Sequence, residues 1–497
     1  MTRASEMSPI ASRFLNRAPE LLIDGEWRPS VSEEVFEVEN PANGAVIARA
    51  ARGGATDIDA AVKAARRSFD SRVWRGKTGA ERSRILWDYA DLIEDHLDEL
   101  IELEILDNGM PYAFADFVVR GSAEWLRHFA RHAANIFGRN VSGAVSGAQH
   151  FHAYSARQPV GVVGLITPWN GPLVTFALKV APALAAGCSC VVKPAENTPL
   201  TALRAGELAM EAGIPAGVLN IVTGFGHEAG AALSEHPDVD KISFTGSTAV
   251  GKSIVKASAG NLKRLTLELG GKSPCIIFDD ADLASAIPSA GMAIFANTGQ
   301  VCFAGSRLFV QRQSFDRVVN GIADFAKGLK IGSGFDRETA LGPLISRKQH
   351  ERVLEYIDIG RAEGAELVAG GRSHGDAGYF VEPTIFADVN ANMRIVQEEI
   401  FGPVLVATPF DEMDDVIRAA NDTRYGLGAG VFTTDVNKAH HMADRIDAGN
   451  VWVNCYGVMH SALPFGGFKE SGWGREAGTE GLDAFLEAKS VTIQLNL

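Results

Sequence analysis

Apolar residues recur every three to four positions between residues 56 and 137, and this spacing predicts helices throughout that block. Ile85, Leu86, Tyr89, Leu92, Ile93, Leu97 and Leu100 fall on one face of such a run. Asp57 stands where it can cap the first helix. Trp125, Leu126 and Phe129 lie on a further helix, where their size marks them as core. Ahead of this block, residues 23–47 read as short strands joined by turns at Asp24-Gly25 and Asn43-Gly44. Behind it the rhythm changes. Val141 to Ala156 alternates as a hairpin does, and β-branched runs follow at 161–169, 189–194, 219–224, 241–246 and 275–280, interleaved with helices. Strands alternating with helices predict an α/β domain with a largely parallel sheet. A second α/β set has helices at 314–329, 346–364 and 436–447 and strands near 404–408 and 430–433. The final run, Lys489 to Leu495, is an apolar strand with no partner nearby in sequence, which invites pairing with another subunit or with the 141–156 hairpin.

At 497 residues the chain exceeds one ordinary core, so two or three domains are expected. The 46% apolar and 22% charged content is that of a globular protein, and a net charge of −14 argues against nucleic acid or an anionic membrane surface as partner. Five cysteines (188, 190, 275, 302 and 455) have no matching His/Cys pairs, so neither a metal site nor a disulfide framework is expected. No apolar run reaches the ~20 residues of a membrane span, and the first twenty residues lack the apolar core of a secretory signal. A loose N-terminal arm and a reducing, cytoplasmic setting are the expectation.

Candidate chemistry centres on Phe295-Ala-Asn-Thr-Gly-Gln-Val-Cys302-Phe-Ala-Gly-Ser-Arg307. Free cysteine has a pKa near ~8.5 and only its thiolate is a strong nucleophile. Glycines at 299 and 305 let the backbone bend, while Asn297, Thr298, Gln300 and Ser306 can support a thiolate or hold its loop. Gly224-Phe-Gly-His-Glu-Ala-Gly230 is one residue too long for the GxGxxG dinucleotide fingerprint. Phe244-Thr-Gly246-Ser247 follows a strand and opens a helix, a place where backbone N–H groups can hold a phosphate. Lys193 and Glu196, just after another strand, suit a ribose: the carboxylate accepts from vicinal hydroxyls and would repel a 2′-phosphate, which favours NAD over NADP.

Taken together, ITPWN170, KPAE196, FTGST248, LELGGKSP274, GQVCFAGSR307, EEIFGP403 and PFGGFKESGWGRE476 resemble, in order and spacing, the motifs of the aldehyde dehydrogenase superfamily. The likeness runs from about residue 20 to the end. It implies an α/β fold with a Rossmann-type cofactor domain (1–138 and 158–270), a catalytic domain (271–470) and a small bridging sheet (139–157 and 471–497) that assembles homodimers or homotetramers. It also implies a reaction. Cys302 would attack an aldehyde to give a thiohemiacetal, Asn170 and the Cys302 N–H would hold the oxyanion, and Glu268 would activate water against the thioester. Apolar neighbours around Glu268 would raise its pKa and suit it as a base. Lys179 and Glu476 match a proton relay. Ile166, Trp169, Lys193, Glu196, Gly230, Gly246, Ser247, Leu269, Gln349, Glu399 and Phe401 match cofactor positions. Gly171, Thr175, Leu178, Ala296, Val301, Phe303, Met459 and Phe465 match the substrate pocket.

Several of those pocket positions are small and none is cationic, which predicts a wide apolar tunnel for a bulky or long-chain aldehyde. A betaine-type aldehyde or a semialdehyde would call for an aromatic cage or a cationic clamp, and the sequence shows neither. The presence of Glu268 favours water over coenzyme A as acyl acceptor. The competing readings are a semialdehyde or small-aldehyde enzyme, a thioester or ester hydrolase, and a non-catalytic NAD-binding protein.

Overall fold

The structure, a computed structural model, describes residues 8–141 and 150–495. The turn of the expected 141–156 hairpin lies outside the described residues, as does the start of the N-terminal arm. Two sheets carry the architecture. The first has eight strands in the order Glu26–Arg28, Leu21–Ile23, Leu219–Ile221, Ser189–Lys193, Val162–Ile166, Lys241–Thr245, Arg264–Glu268 and Gly472–Trp473. The five consecutive strands from Leu219–Ile221 to Arg264–Glu268 are parallel and nearly all of their residues are buried, as a sheet covered on both faces requires. The chain moves outward one way from Val162–Ile166 and, after Leu219–Ile221, the other way through Lys241–Thr245. The point between those two strands, where the order reverses, is where open α/β sheets hold ligands.

The second sheet has seven strands, in the order Glu366–Ala369, Thr384–Ala387, Val404–Phe410, Arg307–Gln311, Pro274–Ile277, Gly428–Phe432 and Asn450–Val453. Only the pair formed by the first two is antiparallel. The short crossover from Glu268 to Pro274 sets the carboxyl ends of the first sheet against the amino ends of the second.

Helices Gly79–Asp95, Leu97–Asp107, Tyr112–Ala133 and Pro172–Ala186 cover the first sheet around Trp74, Tyr89, Phe129 and Phe176, all at 1% exposure or less. Burying one such aromatic contributes roughly 2–3 kcal/mol. The polar tips are satisfied: Trp74 Nε1 donates to the Leu184 carbonyl at 2.9 Å and the Tyr89 hydroxyl to that of Ala205 at 2.8 Å. Asp57 does cap the helix Ala55–Ser71, but from inside its first turn. The Asp57 carboxylate accepts from Gly54 N at 3.0 Å, and Gly54 is the capping residue.

The late chain returns to both early layers. Gly472–Trp473 lies antiparallel to Arg264–Glu268, with Gly472 opposite Glu268. A side chain at Gly472 would place its Cβ 1.9 Å from the Leu267 carbonyl oxygen, so only glycine fits. The last strand, Leu486–Leu495, pairs over ten residues with His150–Pro159 in a separate two-stranded sheet. Of the two partners open to it in the sequence, the described chain supplies the 141–156 region.

Candidate active site

The helix Leu283–Phe295 leads into the segment that carries Cys302. Asn297 and Thr298 take left-handed backbone angles (φ 47° and 56°), and Gly299 follows at φ 73°. A Cβ on Gly299 would meet the Gly402 carbonyl oxygen at 2.1 Å, so this tight passage needs glycine. The amides around Cys302 hold the loop rather than the thiol. Asn297 Nδ2 donates to the Asn170 carbonyl at 3.0 Å, Thr298 Oγ1 to that of Gly342 at 2.8 Å, and Gln300 Nε2 to that of Pro343 at 3.3 Å. Gln300 Oε1 in turn accepts from Ile345 N at 2.9 Å. Arg307 is 2% exposed and donates to the carbonyls of Lys272, Ala419 and Ala420, which fixes the strand after the loop and leaves no part for it in chemistry.

Cys302 is partly exposed and lines a cleft of about 480 Å³. The cleft sits at the order reversal of the first sheet. Pro168, Trp169 and Asn170 come from the end of one strand, Thr245 to Ala249 from the next, and Leu269 and Gly270 from the third. The far wall is Gln349, Arg352, Tyr356, Glu398, Glu399, Phe401, Arg424 and Tyr425. Seven of the eleven expected cofactor positions thus line one cleft: Trp169, Gly246, Ser247, Leu269, Gln349, Glu399 and Phe401. Lys193, Glu196 and Gly230 form a neighbouring group. Lys193 Nζ lies 3.2 Å from Glu196 Oε2, and a Cβ on Gly230 would stand 3.5 Å from Lys193 Cδ. The lysine is only 2% exposed and burial lowers its pKa, so this is no solvated surface pair. Ile166 is buried in the strand below. Gly224, in the loose glycine motif, packs against the Gly53 carbonyl, and residues 226–230 form a wide helical turn.

The cleft walls are pre-set. Glu399 Oε1 accepts from Gly271 N at 3.0 Å, and burial pushes the Glu399 carboxyl up to about 7. Gln349 Nε2 donates to the Phe401 carbonyl at 2.8 Å, and Phe401, at φ 61°, meets the Trp169 ring edge-on at 5.1 Å. Ser247 Oγ caps the helix Thr248–Ser258 by accepting from Val250 N at 3.4 Å. A Cβ on Gly270 would fall 2.2 Å from Glu399 Oε2, so the backbone there leaves space that only glycine leaves. A carboxylate, an amide, a helix N-terminus and close-lying glycines are the donor and acceptor set a dinucleotide requires.

Glu268, at the end of its strand, is 2% exposed, and neither of its carboxylate oxygens has a hydrogen-bond partner. Burial raises its pKa well above the usual carboxylate range, the charge of Glu476 adds to this, and Lys179 opposes it. Lys179, fully buried, pairs with Glu476 and donates to Ser243 Oγ at 3.0 Å. Ser243 Oγ lies 3.2 Å from Glu476 Oε1. Burial, then Glu268 and then Glu399, push the Cys302 thiol well up, so it rests protonated. Asn170, half-buried beside Cys302 in the cleft, donates through Nδ2 to the Gln300 carbonyl at 2.9 Å.

Phe303 and Phe465 rings lie 5.9 Å apart, and Trp452 adds a third ring 5.5 Å from Phe303. Leu178 and Phe465 belong to the core against which Cys302 and Phe303 pack. Thr175 Oγ1 would stand 3.5 Å from a Cβ on Gly171. Val301 packs against the core of the second sheet and lines a small space with Ile294, Gly271 and Glu399. Ala296 is half-buried beside the left-handed turn, and Met459 is 38% exposed on a surface loop.

The sequence reading missed Trp452, Arg352, Tyr356, Glu398 and Arg424. Glu398, adjacent to Glu399, could have been found; the others stand in no motif and meet the cleft only through the fold. Among the described residues no group of three or more metal-ligating side chains comes together, and no helix is long and apolar enough to cross a membrane.

A family model described as the aldehyde dehydrogenase family matches residues 27–491. The chain is 49% identical to DhaS of Bacillus subtilis (strain 168) over 97% of each chain, and 46% identical to the mitochondrial aldehyde dehydrogenase of Rattus norvegicus over 97% of this chain and 93% of that one. An NAD+ complex of aldehyde dehydrogenase from Bacillus cereus superposes with a TM-score of 0.96 at 48% identity, covering 99% of both chains. Betaine aldehyde dehydrogenase from Staphylococcus aureus, in complex with NAD+, superposes at 0.94 with 39% identity, over 98% of this chain and 97% of that one.

Proposed function

The chain belongs to the aldehyde dehydrogenase family and is an NAD-dependent oxidoreductase; on that premise we propose that it oxidises a bulky or long-chain apolar aldehyde to the acid, with water as acyl acceptor. One observation carries the hydrolytic part. Glu268 is buried, both its oxygens are without partners, and it stands close enough to Cys302 to act on the thiol electrostatically. A carboxylate kept free of hydrogen bonds beside a nucleophile suits a base that waits for water.

In this reading the Cys302 thiol gives its proton to water in the cleft as its sulfur adds to the aldehyde carbon. Asn170 Nδ2 has one hydrogen committed to Gln300 and the other free for the developing oxyanion, together with the Cys302 N–H. NAD, when bound, supplies the hydride acceptor. Glu399, Gln349, Ser247 and Gly246 would hold it in the cleft, with Lys193 and Glu196 on a ribose. Glu268 then takes a proton from the water that cleaves the thioester, and the buried Lys179–Glu476–Ser243 group offers that proton a path outward.

The substrate class rests on Phe303, Phe465 and Trp452 set against Gly171 and Leu178, with no cationic side chain among them. The same three rings favour one second reading, a quaternary ammonium aldehyde held by cation–π contact. We assign the first sheet and its helices to the cofactor, residues 271–470 to catalysis, and 139–157 with 471–497 to assembly as a homodimer or homotetramer. The two-stranded sheet of His150–Pro159 and Leu486–Leu495, whose last strand has no further partner on its outer edge among the described residues, supports this last assignment. Gly472–Trp473 is the exception, since it completes the first sheet. Five free thiols suit a reducing compartment such as the cytoplasm.

The test is an aldehyde series of acetaldehyde, citral, phenylacetaldehyde, decanal and betaine aldehyde, with NAD or NADP and with or without coenzyme A. Turnover highest on the bulky apolar members, with NAD and without coenzyme A, is expected. Equal efficiency on acetaldehyde rejects the pocket, preference for betaine aldehyde selects the second reading, and dependence on coenzyme A rejects hydrolysis.

A further inference from the structure

The two peptide planes that meet at the Asn170 Cα are each pinned by a buried side-chain amide. Asn108 Nδ2 donates to the Trp169 carbonyl at 2.6 Å, and Asn297 Nδ2 donates to the Asn170 carbonyl at 3.0 Å. Both amides are almost wholly enclosed, Asn108 at 1% exposure and Asn297 at 3%. A peptide is planar, so the orientation of a residue is set by two rotations, one on each side of its Cα. The Trp169 carbonyl marks the plane on one side of Asn170 and the Asn170 carbonyl the plane on the other. Holding both fixes the direction in which the Asn170 side chain leaves the backbone.

We propose that Asn108 and Asn297 are positioning residues that act together, aiming the Asn170 amide at the oxyanion formed on the aldehyde carbon attacked by Cys302. This inference rests on the oxyanion role given to Asn170 above.

The two amides come from opposite sides. Asn108 ends the helix Leu97–Asp107, on the first-sheet side. Asn297 belongs to the nucleophile loop, where its φ of 47° is one that asparagine tolerates better than most residues. Asn297 therefore ties the oxyanion residue to the segment that carries the nucleophile. The two arms are also locked to each other. Gly109, next to Asn108, has φ +85°, and its Cβ would meet Pro343 Cγ at 2.6 Å, while a Cβ on Gly342 would meet the Gly109 carbonyl oxygen at 2.1 Å. Thr298 and Gln300 of the nucleophile loop hold the carbonyls of Gly342 and Pro343. Asn108, Asn297 and Cys302 thus sit on one interlocked frame around Asn170. A simpler role, satisfying two buried carbonyls, would lower stability on mutation but would not act through Asn170.

A double-mutant cycle on the full-length enzyme with NAD separates the two roles. Asn108→Ala is made in the natural chain and in an Asn170→Ala background, and kcat/KM is measured on the best aldehyde of the series. NAD binding and thermal melting report the folded fraction. The expected result is a loss of roughly ten- to hundredfold in the natural chain, the cost of misplacing a reacting group by about 1 Å, and less than about threefold in the Asn170→Ala background. Equal losses in both backgrounds, or an Asn108→Ala enzyme with full kcat/KM, overturn the inference. Should Asn108→Ala not fold, the same cycle with Asn297→Gly decides, since glycine adopts the left-handed angle at that position without strain. An Asn170→Ala enzyme that keeps its activity removes the oxyanion assignment itself. A crippled Asn170→Ala enzyme with additive losses removes only the positioning role.

Discussion

Replacing Glu268 by glutamine should separate two halves of the reaction while making the protein more stable. The substitution keeps the shape of the side chain and deletes its ability to accept a proton. Loss of a positioned general base costs ~10²–10⁴ in rate, about 3–5 kcal/mol, and here that loss should fall on the step that consumes the acyl-enzyme. The stability effect follows from the carboxyl's surroundings. Its folded pKa is raised by burial and by Glu476, so between the unfolded value near 4.5 and the folded value the native state holds the extra proton. The favourable contribution is complete below the unfolded pKa and is lost as pH rises through the folded one, leaving a cost at higher pH that glutamine does not carry. The melting temperature of Glu268→Gln should therefore exceed that of the natural chain by a margin that widens from pH 5 to pH 8. In stopped-flow mixing with NAD and aldehyde, the variant should give a rapid burst of NADH equal to its active sites, followed by a rate at least a hundredfold slower. Loss of the burst itself would refute the reasoning. It would mean that Glu268 is needed before hydride transfer, as acceptor of the Cys302 proton, which burial and two carboxylates hold on the sulfur.

Gly270→Ala should drive Glu399 from its place, because the new Cβ would lie 2.2 Å from Glu399 Oε2. Fluorescence titration is expected to show NAD binding weakened by roughly tenfold or more with the fold intact, and unchanged affinity would free Glu399 from a cofactor role. Glu196→Gln should narrow the preference for NAD over NADP by about tenfold, the worth of one charge-assisted hydrogen bond with its accompanying repulsion of phosphate. The ratio of kcat/KM for the two cofactors measures it, and an unchanged ratio would place selectivity elsewhere.

What could be read from the chain, and what could not, divides by sequence distance. The helix of Leu86, Tyr89 and Ile93 repeats its apolar face every turn, and the three residues are indeed buried. The raised pKa of Glu268 was legible because Leu267 and Leu269 flank it directly, and both are buried as well. The partner of the last strand was left open, since edge pairing depends on which strand the fold brings alongside. Asn108 gave no sign of its task, its acceptor lying 61 residues away. The Lys179–Glu476 pair spans 297 positions and was reached only through family likeness. Val301, placed with the substrate wall by family likeness, packs against the core of the second sheet, just beyond the left-handed turn at Asn297 and Thr298. A turn of that kind is set by contacts with Gly342, Pro343 and Gly402, none of them local.

The pairing of Gly472 with Glu268 has a consequence for the order of biosynthesis. Cys302, Asn170 and the cofactor sheet up to Glu268 emerge from the ribosome long before residues 472–476, which close that sheet and supply Glu476 to Lys179. A nascent or prematurely terminated chain therefore carries Cys302 and Glu268 without the strand that pairs with Glu268 and without the partner of Lys179. The pairing around Glu268 is therefore completed only when translation is nearly finished.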